Sequence, residues 1–140
     1  MSLEAIVALT LTFTTTAYAP AANKISGDWY AADGAKVQPI TIACGPKYYG
    51  YVFEFDEVPP GTPRIRLCHD RGGAVDDHQV DFAIVDGSSQ LRLKRAFDWG
   101  VRRVRARVWK MPKEQLAALQ ASPILWQNPH SMRKLEGRSL

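Results

Sequence analysis

The 140-residue sequence is short of several features that would identify a class of protein. Its longest apolar stretch falls well below the ~20 residues of a membrane-spanning helix, so a transmembrane span is the least favoured interpretation. Two cysteines and three histidines do not form the pairs of a zinc site, and neither an EF-hand pattern nor a Gly-x-Ser-x-Gly elbow occurs. With 46% hydrophobic and 23% charged residues, the composition predicts one globular domain.

What the chain does have begins with an apolar run over residues 5–13, followed by threonines and small-residue sites ending at Ala19 and Ala21. This order is typical of a secretory signal peptide. We therefore predict a signal peptide over residues 1–21 and a periplasmic or secreted location. The positive start of such a peptide is absent, because no Lys or Arg precedes Lys24.

The same segment has an alternative interpretation as a strand. Leu9, Leu11 and Phe13 alternate with threonines, which is the period of a half-buried strand. Both interpretations remain open at this point.

The rest of the chain divides into a predicted domain over residues 22–121 and a predicted flexible tail over residues 122–140. Charge is unevenly placed: residues 1–90 hold six Lys and Arg against eleven Asp and Glu, and residues 91–140 hold twelve against three. The chain thus has an acidic body and a basic end.

Cys44 and Cys68 lie at the ends of predicted strands. If the protein is exported, a disulfide between them is expected, and it would stabilise the fold by roughly 3 kcal/mol through loop closure. Two separate buried thiols are the alternative if export fails.

Short β-forming runs separated by turn residues predict an all-β fold, either an antiparallel barrel or a sandwich. One helix follows the last strand, with Pro112 in its first turn and an end before Pro123. The seven predicted strands cover residues 26–32, 36–43, 48–55, 64–68, 79–85, 90–97 and 101–110.

Gly27-Asp28-Trp29 on the first of these strands resembles the Gly-x-Trp signature of lipocalin-like (calycin-type) barrels. Together with Asp33-Gly34, Cys44-Gly45 and Gly50, it is similar to the opening of a family of small exported bacterial domains of unknown function. The resemblance covers residues 25–53. It implies an up-and-down antiparallel barrel of seven to eight strands, in which an Arg of the last strand stacks on Trp29.

Such a barrel has room for one small ligand, so the favoured function is non-enzymatic binding of a small apolar ligand or a cell-envelope component by an exported monomer. No cofactor or metal is expected. The residues predicted to line the cavity are Trp29, Tyr51, Phe53, Phe55, Phe82 and Ile84.

The alternative function uses a predicted basic hairpin over residues 90–110. Three arginines alternate with apolar residues on its second strand, so their guanidinium groups share one face and could dock an anionic partner. A solvated sheet face is the plainer interpretation, and export disfavours nucleic acid as the partner. The anion-binding candidates are Arg92, Lys94, Arg103, Arg105 and Arg107.

A polar loop over residues 69–78, extending to Asp81, is where catalytic and metal-ligating residue types gather. Asp76, Asp77 and His78 could bind a cation or act as a base in a third, enzymatic hypothesis. Aspartates in a Gly-containing loop are more often turn formers, and the sequence assigns no active site here.

Overall fold

A computed structural model describes residues 8–22 and 28–121. A short 3₁₀ turn, Pro46–Tyr48, precedes β3. In chain order the elements of this part are β1 (Leu9–Tyr18), β2 (Thr41–Cys44), β3 (Tyr51–Phe55), β4 (Ile65–Asp70), β5 (Gln79–Ala83), α1 (Ser89–Trp99), β6 (Arg102–Lys110) and α2 (Lys113–Ala121).

The described strands form a closed barrel in the order β1-β5-β2-β4-β3-β6, with β6 pairing back to β1. The pairs β1–β5 and β2–β4 are parallel, and the other four pairs are antiparallel. The prediction of a β-barrel is confirmed. The prediction of an antiparallel up-and-down barrel with seven or eight strands is wrong, because this part of the chain forms six strands in a mixed sheet.

Strand β1 lies within the predicted signal peptide. The alternative interpretation of this segment as a strand, based on its alternating threonines, is the one that the structure has. Phe13 and Thr15 are buried inside the barrel, and Thr10, Thr12 and Thr14 pair with the arginines of β6. The barrel therefore starts before residue 22. Cleavage after Ala19 or Ala21 stays a prediction, and it would remove β1 from between β5 and β6.

The predicted strand over residues 90–97 is wrong, since this segment forms helix α1. The Ser88 side chain caps the helix by accepting a hydrogen bond from the Leu91 amide, and Gly100 ends it at a φ of 67°. Lys94 and Asp98, one turn apart, form an ion pair of 2.7 Å on its surface. The predicted basic hairpin over residues 90–110 is therefore a helix followed by β6.

The first two predicted strands are also shortened. The described portion of 26–32 holds an isolated bridge between Tyr30 and Lys36, while Gly27 of the Gly-x-Trp signature lies outside the described residues. Of the strand predicted over 36–43, the structure has β2 from Thr41 onward. Pro39 has no amide to donate, which agrees with a start after it.

Side chains fill the barrel interior. Phe13, Phe53, Phe55 and Phe82 pack with the valines of β6 in one core cluster. The Cys44–Cys68 disulfide, which the sequence predicted, joins β2 to β4 within this cluster. Among the described residues, no helix combines the length and the apolar character needed to cross a membrane.

Candidate carboxylate site

Two aspartates lie on the outer face of the barrel, on either side of β2. Ala43 of β2 is the register partner of Asp70 on β4 and also of Asp81 on β5. Register partners project their side chains to the same face of a sheet, so both carboxyl groups lie on one side. Two strand spacings place their Cα atoms about 10 Å apart.

Strand β1 completes this face by supplying a hydroxyl group to each aspartate. The Thr16 Oγ1 donates to Asp81 Oδ1 at 3.0 Å, and the Tyr18 hydroxyl donates to Asp70 Oδ2 at 2.8 Å. We call Thr16, Tyr18, Asp70 and Asp81 the carboxylate site. Its four side chains come from three strands, β1, β4 and β5.

Asp81 is held in a form that readily carries a proton. Burial raises the pKa of its carboxyl group from 3.8 to about 6; the negative charge of Asp70 acts in the same direction, and the Thr16 hydrogen bond opposes both. A carboxyl with a pKa in this range can act as a general acid near neutral pH.

Asp70 is surrounded by donors instead. Besides Tyr18, the backbone amides of Ala32 and Arg71 donate to its Oδ1 at 3.1 and 2.9 Å. An ionised carboxylate is an acceptor only, so it satisfies all three donors at once. Burial, and then the charge of Asp70, raise the pKa of Tyr18, which keeps its hydroxyl a donor. The two carboxyl groups of the site thus have unlike surroundings on one face.

A bulge in β4 explains why Asp70 faces outward. Ile42 pairs with Cys68 and Ala43 with Asp70, so His69 is an extra residue without a register partner. In a regular strand Asp70 would share the inward face of Cys68, and the extra residue turns it to the other side. The bulge therefore places Asp70 on the face that carries Asp81.

The bulged residue is fixed by its side chain. His69 is buried, with Nε2 at 2.7 Å from Thr41 Oγ1 and Nδ1 at 3.2 Å from the Asp33 carboxylate. Asp33 follows Ala32, whose amide donates to Asp70. His69 thus ties the segment that covers this face to β2 and β4.

The cations beside the Trp29 ring differ from the last-strand Arg that the lipocalin resemblance implied. The Arg92 guanidinium of α1 lies 4.8 Å from the Trp29 ring centre, and Lys36 lies at 5.9 Å. Trp29 packs against a small cluster outside the barrel that includes Ala31, Val37 and Ala83. Its cationic partner is therefore a helix residue rather than an Arg of the last strand.

Four of the residues predicted to line a ligand cavity pack together in one core cluster, namely Tyr51, Phe53, Phe55 and Phe82. Phe53, Phe55, Phe82 and Ile84 are fully buried. The Phe53 and Phe55 rings stack at 5.5 Å, and the Phe55 and Phe82 rings meet edge-on at 4.6 Å. Trp29 lies outside this cluster, and Tyr51, at its edge, also lines a surface groove.

The predicted anion-binding residues are likewise divided. Arg103, Arg105 and Arg107 project outward from β6, as their alternation indicated. Arg105 pairs with Asp56 at 2.9 Å and Arg107 with Glu54 at 3.3 Å, which neutralises part of this face. Arg92 is buried and donates to the Pro20 carbonyl at 2.6 Å. Lys94 is paired to Asp98 on α1.

In the loop between β4 and β5, Asp76 forms a local turn, and Asp77 binds the segment that precedes β3. Asp76 accepts the His78 amide at 2.8 Å, and Asp77 accepts the Lys47 amide at 2.9 Å. The loop packs so closely on Gly45 that a Cβ there would meet Asp76 backbone at 2.5 Å. Over residues 8–22 and 28–121, no cluster of three potential metal ligands occurs.

Sequence reasoning pointed to this loop but missed Asp70 and Asp81, which lie at its two ends. The available signal was the concentration of aspartates between two predicted strands. Thr16, Tyr18 and Asp33 reach the site from distant parts of the chain, and no local pattern marks them.

The fold and the site define a mixed six-stranded β-barrel protein with a pair of unlike carboxyl groups on its outer surface. The closed barrel is consistent with a calycin-like architecture. Comparison with protein-family models and with curated proteins found no match.

Proposed function

We propose that this protein is an enzyme that cleaves a glycosidic bond, with Asp81 as general acid and Asp70 as its ionised partner. The observation that carries the proposal is the unlike surroundings of the two carboxyl groups on one face. Pairs of carboxyl groups whose environments separate their protonation states are the working parts of glycoside hydrolysis.

In this scheme the Asp81 carboxyl donates its proton to the glycosidic oxygen while the bond from that oxygen to the anomeric carbon breaks. The positive charge that develops on the sugar is stabilised by the Asp70 carboxylate. Water then adds to the anomeric carbon, and its proton returns to Asp81. Both aspartates are partly exposed at the surface of the barrel.

A peptide-cleaving aspartate dyad is the nearest alternative chemistry, and the geometry disfavours it. Such a dyad shares one proton between two carboxyl groups in direct contact. Here each carboxyl group is hydrogen-bonded to its own hydroxyl, and β2 lies between the two strands that carry them. Acid catalysis beside a separate anion fits a sugar substrate better.

Non-enzymatic binding of an apolar ligand or of an anionic partner stays a prediction. The filled interior around Phe53, Phe55 and Phe82 does not favour the first, and the Arg105 and Arg107 ion pairs weaken the second. Localisation in the periplasm or outside the cell remains part of the proposal. The Cys44–Cys68 disulfide fits an oxidising compartment of this kind.

The test is hydrolysis of fluorogenic β-1,4-linked glucose and N-acetylglucosamine trimers by the wild type, Asp81→Asn and Asp70→Asn. We expect Asp81→Asn to lose about 100-fold or more in kcat/KM, as loss of a general acid does. Wild-type kcat/KM should fall as pH rises through about 6, because Asp81 then loses its proton.

Asp86→Asn is the matched control, since Asp86 is exposed and outside the site. The proposal is wrong if neither substrate series is cleaved, or if Asp81→Asn retains wild-type activity.

A further inference from the structure

A surface groove of about 530 Å³ runs between the start of β3 and the start of α2. Tyr51 and Lys110, register partners on β3 and β6, form its floor at the rim of the barrel. Its volume is in the range of sites that hold small organic ligands. We call it the tyrosine groove; its lining residues are Tyr49, Gly50, Tyr51, Lys110, Met111, Pro112 and Leu116.

Tyr49 belongs both to this groove and to the surroundings of the carboxylate site. Its hydroxyl donates to the carbonyl oxygen of His69, the residue before Asp70, at 3.0 Å. Burial, and then the negative charges of Asp33 and Asp70, raise the pKa of Tyr49. A molecule that lies along the groove at Tyr49 is therefore adjacent to Asp70.

The chemistry of the lining selects the kind of occupant. Tyrosine, methionine, proline and leucine side chains present apolar surface, while the Tyr49 and Tyr51 hydroxyls and Lys110 supply polar contacts. Sugar rings have the matching character, with apolar C–H faces and hydroxyl groups at the rim. An extended peptide is a poorer match, because β3 and β6 pair with each other here and leave no strand edge to extend.

We propose that the tyrosine groove binds the sugar units that neighbour the cleaved bond, so that the substrate is an oligomeric or polymeric glycan rather than a single glycoside. This inference rests on the proposed glycosidase function. It predicts that affinity depends on substrate length.

Binding is measured by calorimetry on full-length Asp81→Asn protein, which cannot turn over the ligand under the proposed mechanism. The probes are dimers and hexamers of β-1,4-linked N-acetylglucosamine and of β-1,4-linked glucose. We expect the hexamer of at least one series to bind about ten-fold or more tightly than its dimer.

Two groove variants are added to the Asp81→Asn background. Tyr51→Ala removes an aromatic face, and Lys110→Ala removes a polar contact at an exposed position of β6. Both should reduce hexamer affinity to that of the dimer. Phe97→Ala is the control, because Phe97 is an exposed aromatic on α1 outside the groove and the site. It should keep the length preference.

Thermal unfolding of each variant checks its fold, and Lys110→Ala keeps the test decisive if Tyr51→Ala is unstable. Equal affinity for dimer and hexamer in both series, or a length preference that survives both groove variants, overturns the inference. If wild type cleaves glycans while the groove variants change nothing, the enzymatic proposal stands and the groove proposal fails. If wild type cleaves nothing but the length preference depends on Tyr51, the groove is a glycan-binding site and the enzymatic proposal fails.

Discussion

At the scale of single residues, the two aspartates of the carboxylate site have different hydrogen-bond partners. Asp70 accepts hydrogen bonds from one hydroxyl and two backbone amides, whereas Asp81 accepts one from the Thr16 hydroxyl, and burial raises its pKa. Because an ionised Asp81 is poorly solvated, its burial lowers the stability of the fold at pH values where it carries a charge.

The free-energy cost of ionising the buried Asp81 carboxyl predicts a pH-dependent effect of Asp81→Asn on stability. The pKa of Asp81 is raised from 3.8 in the unfolded chain to about 6 in the fold, so the folded state binds more protons between these values. Its stability therefore falls as pH rises through this window and is constant above it. Near pH 8 the variant should be more stable than wild type by up to about 3 kcal/mol.

Urea unfolding near pH 4 and near pH 8 measures the effect, because the two proteins should converge at the lower pH. Asp86→Asn should match wild type at both values. Equal stabilities of wild type and Asp81→Asn near pH 8 would contradict the assigned burial of this carboxyl.

At the scale of elements, the bulge in β4 is the feature on which the site depends. One extra residue, His69, turns Asp70 from the interior toward Asp81. The bulge is held by partners on two other segments, Thr41 at the start of β2 and Asp33 in the segment before it. The His69 side chain thus sets the position of Asp70, although His69 has no role of its own in the proposed chemistry.

We predict that His69→Ala separates Asp70 from Asp81. Loss of the two hydrogen bonds leaves Thr41 and Asp33 without their buried partner, which costs about 1–3 kcal/mol of stability. Because the charge of Asp70 helps to raise the pKa of Asp81, that pKa should fall in the variant. Carbon-13 NMR titration of the Asp81 carboxyl measures this directly and needs no substrate.

His69→Gln is the conservative variant, since an amide can still bond to Thr41, and it should restore part of the Asp81 shift. An Asp81 titration that is unchanged in His69→Ala would show that the bulge is not what positions Asp70.

Several elements could be predicted from local pattern. Alternation placed β6 nearly at its observed bounds, turn residues bounded β4 and β5, and the cysteines at strand ends predicted the disulfide. The strand predicted over residues 90–97 was wrong because Ser88 caps this segment as a helix and Gly100 ends it. β1 and β5 pair in parallel although they are far apart in the chain, and a local sequence pattern cannot predict such a pairing.

The carboxylate site was less predictable for the same reason. Aspartates at both ends of a polar loop are visible in the sequence. Strand order and the bulge are what place Asp70 and Asp81 on the same face, on either side of β2. The chemistry also depends on Thr16 and Tyr18, which the sequence assigned to a signal peptide.

At the scale of the whole molecule, β1 closes the barrel and builds the site at once. It pairs with β5 on one side and β6 on the other, so its absence would leave two open strand edges. It also carries both hydroxyl groups that bind the aspartates. The ten residues of β1 therefore link the integrity of the fold to the proposed activity.

The decisive whole-molecule prediction is that a chain beginning at residue 22 does not fold. We expect the full chain, produced in an export-competent bacterium, to unfold cooperatively and to have a mass two hydrogens below that of the reduced protein. The chain of residues 22–140 should aggregate or lack a cooperative transition, because β5 and β6 lose their partner.

A chain lacking residues 1–7 is the control, since β1 begins at Leu9, and it should behave as the full chain does. Native mass spectrometry of the purified products shows which residues are retained.

If the mature protein starts at residue 20 or 22 and is stable with its disulfide formed, the segment is a cleaved signal peptide. In that case Thr16 and Tyr18 are absent from the working protein, and both the closed barrel and the carboxylate site described above are wrong for it. Retention of β1 together with loss of folding on its removal would show that the closed barrel depends on this strand.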